Sequence, residues 1–275
     1  MTDATLAPAT PHLDLREIYN RAVTDAPTFT RLTLALALAL IPALAAMAID
    51  PRTIEGASVW LKPTKFLVAL ALFFGTIAIF ARWASPAFNA HWATRAFAIL
   101  AAIATLGEML WIGGAAALGT TSHFNVSTPM MENIYALMGL FAVTLTASAL
   151  IWGIAILRHR KDGLGWVIGL SLIATFVATL IAAGTLSAQE SHFIGTPVTG
   201  AAVPIVGWSR EVGDLRVAHF LATHVMHIVP LAALLIAGSA AAMTRRHAIL
   251  LTALVGLTIA FTYLQALQGL PLIPV

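Results

Sequence analysis

Seven stretches of this chain are apolar almost without interruption: 32–49, 66–82, 96–118, 130–157, 165–186, 217–243 and 248–269. Each approaches or exceeds the roughly 20 residues that an α-helix needs to cross a hydrocarbon layer about 30 Å thick. The pattern predicts an all-α integral membrane protein, a single seven-transmembrane-helix bundle over 32–271 after a tail at 1–31. Pro42 and Pro230 fall inside spans, where neighbouring helices can re-satisfy the freed carbonyls. In the tail, Leu15, Ile18, Tyr19 and Ala22 recur at helical spacing among Asp14, Glu17 and Arg21. That spacing fits a short amphipathic helix lying on the membrane interface, or else an ordinary solvated tail. Ala45-Ala46-Met47-Ala48 faintly resembles a signal-peptidase site, but the long acidic region before it is unlike a short basic leader, so the first span reads as retained.

Composition sharpens this picture. Hydrophobic residues make up 59% of the 275 positions and charged residues only 10%, against about 25% charged in a soluble domain. Too little polar material remains to cover a water-facing surface, which excludes a soluble globular enzyme and a disordered chain. The net charge of +3 is too small and scattered for nucleic acid. Cysteine is absent, which removes disulfides, thiolate nucleophiles, iron–sulfur clusters and Cys-based zinc sites. Ten Lys and Arg residues fall on the side of the N-terminus and five on the other. The positive-inside rule then places the N-terminus in the cytoplasm and the C-terminus outside, with Arg52, Lys62 and Lys65 running against it.

One motif repeats on the expected outer side. Ser122-His123-Phe124 precedes Thr128-Pro129, and Ser191-His192-Phe193 precedes Thr196-Pro197. Spans three–four and five–six would then be parallel hairpins, each presenting a histidine at the outer mouth; coincidence in a compositionally biased chain is the alternative. Thr128, Pro129 and Glu132 also read simply as a helix start, with an N-cap, an N1 proline and a first-turn acid.

Ionisable residues inside spans are expensive and point to function by default. Glu108 lies about 15 Å inside the outer end of span three, and His219, His224 and His227 lie roughly 3, 10 and 15 Å inside that of span six. His224 and His227 share a helix face, from which His219 is turned by about 80–140°. His123, Glu132, Glu190 and His192 form a rim above them, and Gln265 and Gln268 add amides. The bland alternatives are packing histidines and a neutral acid bonded to a carbonyl. The long connection 187–216 reads as a lid over the outer mouth. Asp214 in it suits an N-cap, a partner for Arg216, or a carboxylate orienting a histidine. His12, His91, His159 and His247 read as ordinary interface residues.

Ser122-His123-Phe124-Asn125, Gly207-Trp208-Ser209, and Gly213-Asp214-Leu215-Arg216 followed by His219-Phe220 and His224 resemble the signature of an uncharacterised group of bacterial multi-pass membrane proteins. So do Asp50-Pro51-Arg52-Thr53, Trp60-Leu61-Lys62-Pro63 and Lys65-Phe66. The resemblance spans about 50–271 and implies a bacterial cytoplasmic (inner) membrane location, but it brings no activity. That group often carries Gln where this chain has His227, which places His227 behind the other histidines as a ligand.

Three functions remain open. The first is a transition-metal or haem site for redox or cofactor handling. His123, His192, His219, His224 and Glu108 would be ligands for copper, iron or zinc, or His219 and His224 would be axial to haem b. Glu108 would be its reactive acid, with Asp214, Arg216, Glu132 and His227 in support. Met109, Met130, Met131 and Met226 would favour copper unless they simply pack. The second is a zinc hydrolase of lipid-like substrates, similar to the seven-span ceramidase and adiponectin-receptor group, whose His-x-x-x-His pair on the last span is missing here. The third is a proton-coupled small-solute transporter in which Glu108 and His224 change protonation. Expected partners are the bilayer, a small apolar or lipid-like substrate, and a membrane complex partner or second copy.

Overall fold

The structure is a computed structural model that describes residues 14–54 and 56–275. His12 and the first part of the tail lie outside the described residues. The chain folds as α1 (Leu15–Asp25), α2 (Pro27–Ile49), a hairpin of β1 (Thr53–Ile54) and β2 (Ala57–Ser58), α3 (Leu61–Phe80), and a short α4 (Pro86–Ala90). It continues through α5 (Trp92–Leu118), α6 (Pro129–His159), α7 (Gly163–Ala188), β3 (Phe193–Ile194), β4 (Gly213–Asp214), α8 (Leu215–Ala237) and α9 (Arg245–Leu267). Seven of these helices are long and apolar enough to cross a membrane. The fold is all-α apart from the two small hairpins.

The amphipathic tail segment is a helix. Asp14 caps α1 by accepting from the Arg16 and Glu17 amides. Ala26 breaks the helix, and Pro27 starts α2 at a position where a missing N–H costs nothing. The expected spans gain residues at their starts, α3 beginning at Leu61 rather than 66 and α5 at Trp92 rather than 96. Helices run past the apolar core because polar side chains such as Lys62 and Arg95 cost nothing beyond it. The sixth span is shorter than its hydropathy suggests. Gly238 adopts a left-handed conformation (φ 72°) and ends α8 at Ala237, not at 243.

Packing follows chain order, each helix lying against its sequence neighbours, with α7 also touching α9. One end of the bundle gathers α1, the α3–α5 turn and the α8–α9 turn: Glu17 faces Arg82 at 4.0 Å, and Gly163 abuts Met243. The other end gathers the loops 50–60, 119–128 and 189–214 with the C-terminus, which Arg210 binds through the Pro274 carbonyl at 2.8 Å. We call this the lid end. Phe29, Phe74 and Trp152 fill the core near the first end, with ring centroids 5.0 and 4.9 Å from Phe29. Large apolar side chains such as Leu38, Leu110, Leu235 and Phe261 stay exposed along the helix flanks. A surface of that kind suits acyl chains rather than water.

Helices α6 and α7 meet backbone to backbone. A Cβ on Gly153 would lie 2.8 Å from the Gly169 carbonyl oxygen, whereas one on Gly139 or Gly184 would meet nothing within 4 Å. Gly153→Ala is therefore expected to cost about 1–3 kcal/mol by forcing the helices apart. Gly139→Ala and Gly184→Ala, in open space, should be neutral or slightly stabilising. Thermal unfolding of the three variants in one detergent checks this, and equal midpoints would refute the close contact.

Candidate functional site

The buried face of α5 carries Ala101, Ala104, Thr105, Glu108, Ile112 and Ala115 at three- and four-residue spacing. Glu108 thus points into the bundle, where it is 3% exposed and neither carboxylate oxygen has a hydrogen-bond partner. Such an arrangement is costly and rare for a buried acid. The charge acting on it comes from Lys62, in the first turn of α3.

The charge of Lys62 also reaches both histidine loops. The left-handed Gly119 ends α5 and turns the chain into 119–128. There the Trp111 indole N–H donates to the Ser122 carbonyl at 2.9 Å, and Ser122 Oγ bonds His123 Nδ1 at 3.1 Å. The His123 ring lies 5.6 Å from Phe66 and 6.2 Å from Tyr135. In the lid, His192 stacks 4.0 Å from Phe193 and has Arg216 and Asp214 as charged neighbours. The Lys62 charge acts on both His123 and His192, so the two Ser-His-Phe loops share one electrostatic neighbourhood.

Asp214 fulfils two of its expected parts at once. It caps α8 through the Arg216 amide, and it pairs with the Arg216 guanidinium, Nε at 2.9 Å and Nη2 at 2.6 Å. It also accepts the Ser209 amide at 2.8 Å, and Arg216 Nη2 donates to the Gly207 carbonyl at 2.6 Å. Strands β3 and β4 pair Phe193 with Asp214, which fixes His192 beside this knot. The lid is further ordered by the Glu211 carboxylate, which accepts the amides of Val198, Thr199 and Ala201. The Thr199 hydroxyl, which also donates to it, and those amides hold the Glu211 carboxyl down at about 2.

A second polar group lies on α8. His224 and His227 meet Nδ1 to Nδ1 at 3.1 Å, as their shared face requires, and His227 Nε2 lies 2.9 Å from Thr76 Oγ1 on α3. The Thr76 hydroxyl donates to the Leu72 carbonyl at 2.7 Å, so it accepts from His227 Nε2–H. His227 Nδ1 then accepts from His224 Nδ1–H, and His224 Nε2 is left with a free lone pair. His219 lies close enough to His224 for their charges to interact.

Compared with protein-family models, curated proteins and solved structures, the chain has no match. The site is therefore read from its own geometry.

Some expected members are not brought in. Among the described residues, no three His, Asp or Glu side chains form a group that could hold a metal ion. The ligand set of His123, His192, His219, His224 and Glu108 thus forms no single group: His224 is tied through His227 to Thr76 of α3, while His123 and His192 sit on loops. Glu132 is exposed in the first turn of α6, capped as expected by Thr128. Glu190 is exposed, and Gln265 bonds the Pro271 carbonyl at 2.8 Å. Met226 and Met109 pack in the core and Met130 is exposed. His91 and His247 cap helices α5 and α9.

Lys62 and Thr76 are the members that motif reading passed over. Lys62 stood in Trp60-Leu61-Lys62-Pro63 as a loop cation, and Thr76 lies within a span with no polar sequence neighbour to mark it. Strain marks the same end of the molecule. Among the described residues, Phe124, Glu190 and Ile205 are the non-glycine positions with positive φ, at 57°, 48° and 71°, and all three lie in its loops.

Burial pushes His123 down to about 3, with Lys62 adding to the effect. Burial likewise pushes His192 down to about 4, helped by Arg216 and Lys62 and opposed by Asp214. Both imidazoles are neutral at pH 7. An unfolded histidine takes its proton near 6.5, so below that pH the unfolded chain binds protons that these sites refuse. Stability is therefore full above about 6.5 and falls as pH drops toward about 4. At pH 5 the loss should be on the order of 1–2 kcal/mol per histidine. His192→Gln and His123→Gln should each flatten the decline of the thermal midpoint between pH 7 and pH 5; unchanged slopes would contradict the assignment.

Proposed function

We propose that this chain is a multi-pass membrane protein that couples binding of a small solute at its lid end to protonation of Glu108. The observation that carries this reading is the Glu108 carboxylate, buried without a hydrogen-bond partner under the charge of Lys62. An acid held this way exchanges its proton whenever a ligand changes the local charge, because each protonation state is stabilised only by what lies beside it. Neutral His123 and His192 at the mouth offer donors and acceptors to a polar solute. The chain His224–His227–Thr76 supplies a second proton acceptor at His224 Nε2.

In this reading the lid end faces outward, as the excess of Lys and Arg at the opposite end favours, and the membrane is the bacterial cytoplasmic membrane. Solute enters past the lid and meets Lys62, His123 and His192. Glu108 then takes or gives a proton as the site fills. That the metal-ligand candidates form no single group among the described residues favours this function over a redox centre.

The test uses purified protein in liposomes under an imposed pH gradient, with a panel of small carboxylates, phosphate and amino acids supplied outside. Wild-type protein should show solute-dependent proton flux, which Glu108→Gln reduces at least tenfold, about 1.4 kcal/mol. Two results would overturn the proposal: identical fluxes in the two proteins, or a purified protein carrying stoichiometric copper or iron or a haem absorption band.

A further inference from the structure

We propose that Lys65 is a latch that holds the lid shut and that an oxyanion releases. Two cations from the body of the bundle grip consecutive lid carbonyls: Lys65 Nζ of α3 reaches Val206 O at 3.4 Å, and Arg216 Nη2 of α8 reaches Gly207 O at 2.6 Å. The two grips differ in kind. Arg216 is neutralised by Asp214, which is 2% exposed and receives both its Nε and Nη2, so its short bond to Gly207 is a fixed anchor. Lys65 is exposed, and its hydrogen bond to the neutral Val206 carbonyl is long. Among the described residues no carboxylate lies within 4 Å of its ammonium.

A carboxylate or phosphate oxygen makes a charge-assisted bond about twice as strong as one between neutral groups, and shorter than that to Val206. It therefore competes for Lys65 and not for Arg216. The part that would move is the loop tip 204–206. The residues around it are tied to the anchored side, because Val203 N donates to Trp208 O at 2.8 Å, Gly207 N donates to Val203 O at 2.9 Å, and Glu211 binds Val198, Thr199 and Ala201. Gly207, at φ 75°, is the pivot beside the anchored carbonyl, and Ile205 stands out 95% exposed on the moving side. The like charges of Lys65 and Arg216 act on each other, and an anion between them relieves that repulsion. The latch thus gives the solute of the proposed transport cycle a chemical class, a small oxyanion. It rests on that reading only for the identity of the solute.

Because the chain has no cysteine, Ile205→Cys and Val126→Cys introduce two unique labelling sites, both on exposed lid-end loops. Spin-label distances between them are measured in phosphatidylcholine nanodiscs. Millimolar inorganic phosphate should raise the ratio of long to short distances roughly fivefold. Lys65→Met should give that open distribution without phosphate and no further response, whereas Lys65→Arg should keep the response. Nanodiscs containing phosphatidylglycerol, without added phosphate, tell a lipid headgroup from a free anion: opening there assigns the oxyanion to lipid. A distribution unmoved by either anion, or a Lys65→Met protein that still responds, overturns the latch. Glu108→Gln should leave the latch intact, so loss of proton coupling and loss of lid opening are separate outcomes.

Discussion

The lid end depends on one ion pair whose carboxylate is buried. Asp214 caps α8, receives the Arg216 guanidinium in a two-pronged pair, and draws in the Ser209 amide. Through Arg216 it also holds the Gly207 carbonyl, and through the β3–β4 pairing it sets the place of His192. A carboxylate this buried is tolerable only because several donors converge on it. The backbone permits the arrangement at one point: a Cβ on Gly213 would collide with the Ala266 carbonyl, so α9 packs flush against the strand that carries Asp214.

From that fixed point outward, polar groups are arranged by charge. The cations here stand near helix starts, Lys62 and Lys65 in the first two turns of α3 and Arg216 in the first turn of α8. The imidazoles among them stay neutral, because burial and neighbouring positive charge both disfavour a second cation. Glu108, buried on α5, lies within the field of Lys62. The His224–His227–Thr76 chain runs along the α3–α8 contact, so the same pair of helices that offers the cations also ties the deeper polar groups together.

Much of the local structure was legible in the residues. Thr128 and Asp214 read as helix caps, and the three-residue spacing of His224 and His227 put them on one face. Hydropathy located all seven long helices. It overran α8 because Ala240, Ala241, Ala242 and Met243 are as apolar as a span, whereas Gly238 ends the helix through backbone conformation, which hydropathy does not see. The repeat of Ser-His-Phe gave two loops without saying that one charge acts on both. Lys62 read as a loop charge because nothing in its neighbourhood of sequence names the groups it acts on.

The sequence by itself determined that the chain forms seven long apolar helices with its polar residues sorted toward their ends. Length and hydrophobicity act locally, and a helix satisfies its own backbone whatever surrounds it. It also determined which residues would be expensive to bury, Glu108 and the α8 histidines among them. Only the tertiary structure decided which of those residues share a site. Helix rotation and loop path set whether side chains 50 or 100 positions apart fall within a few ångströms, and the short range of hydrogen bonds makes that difference decisive. That placement tied His224 and His227 to Thr76 of α3, put Glu108 within the field of Lys62, and brought Lys65 Nζ to the Val206 carbonyl.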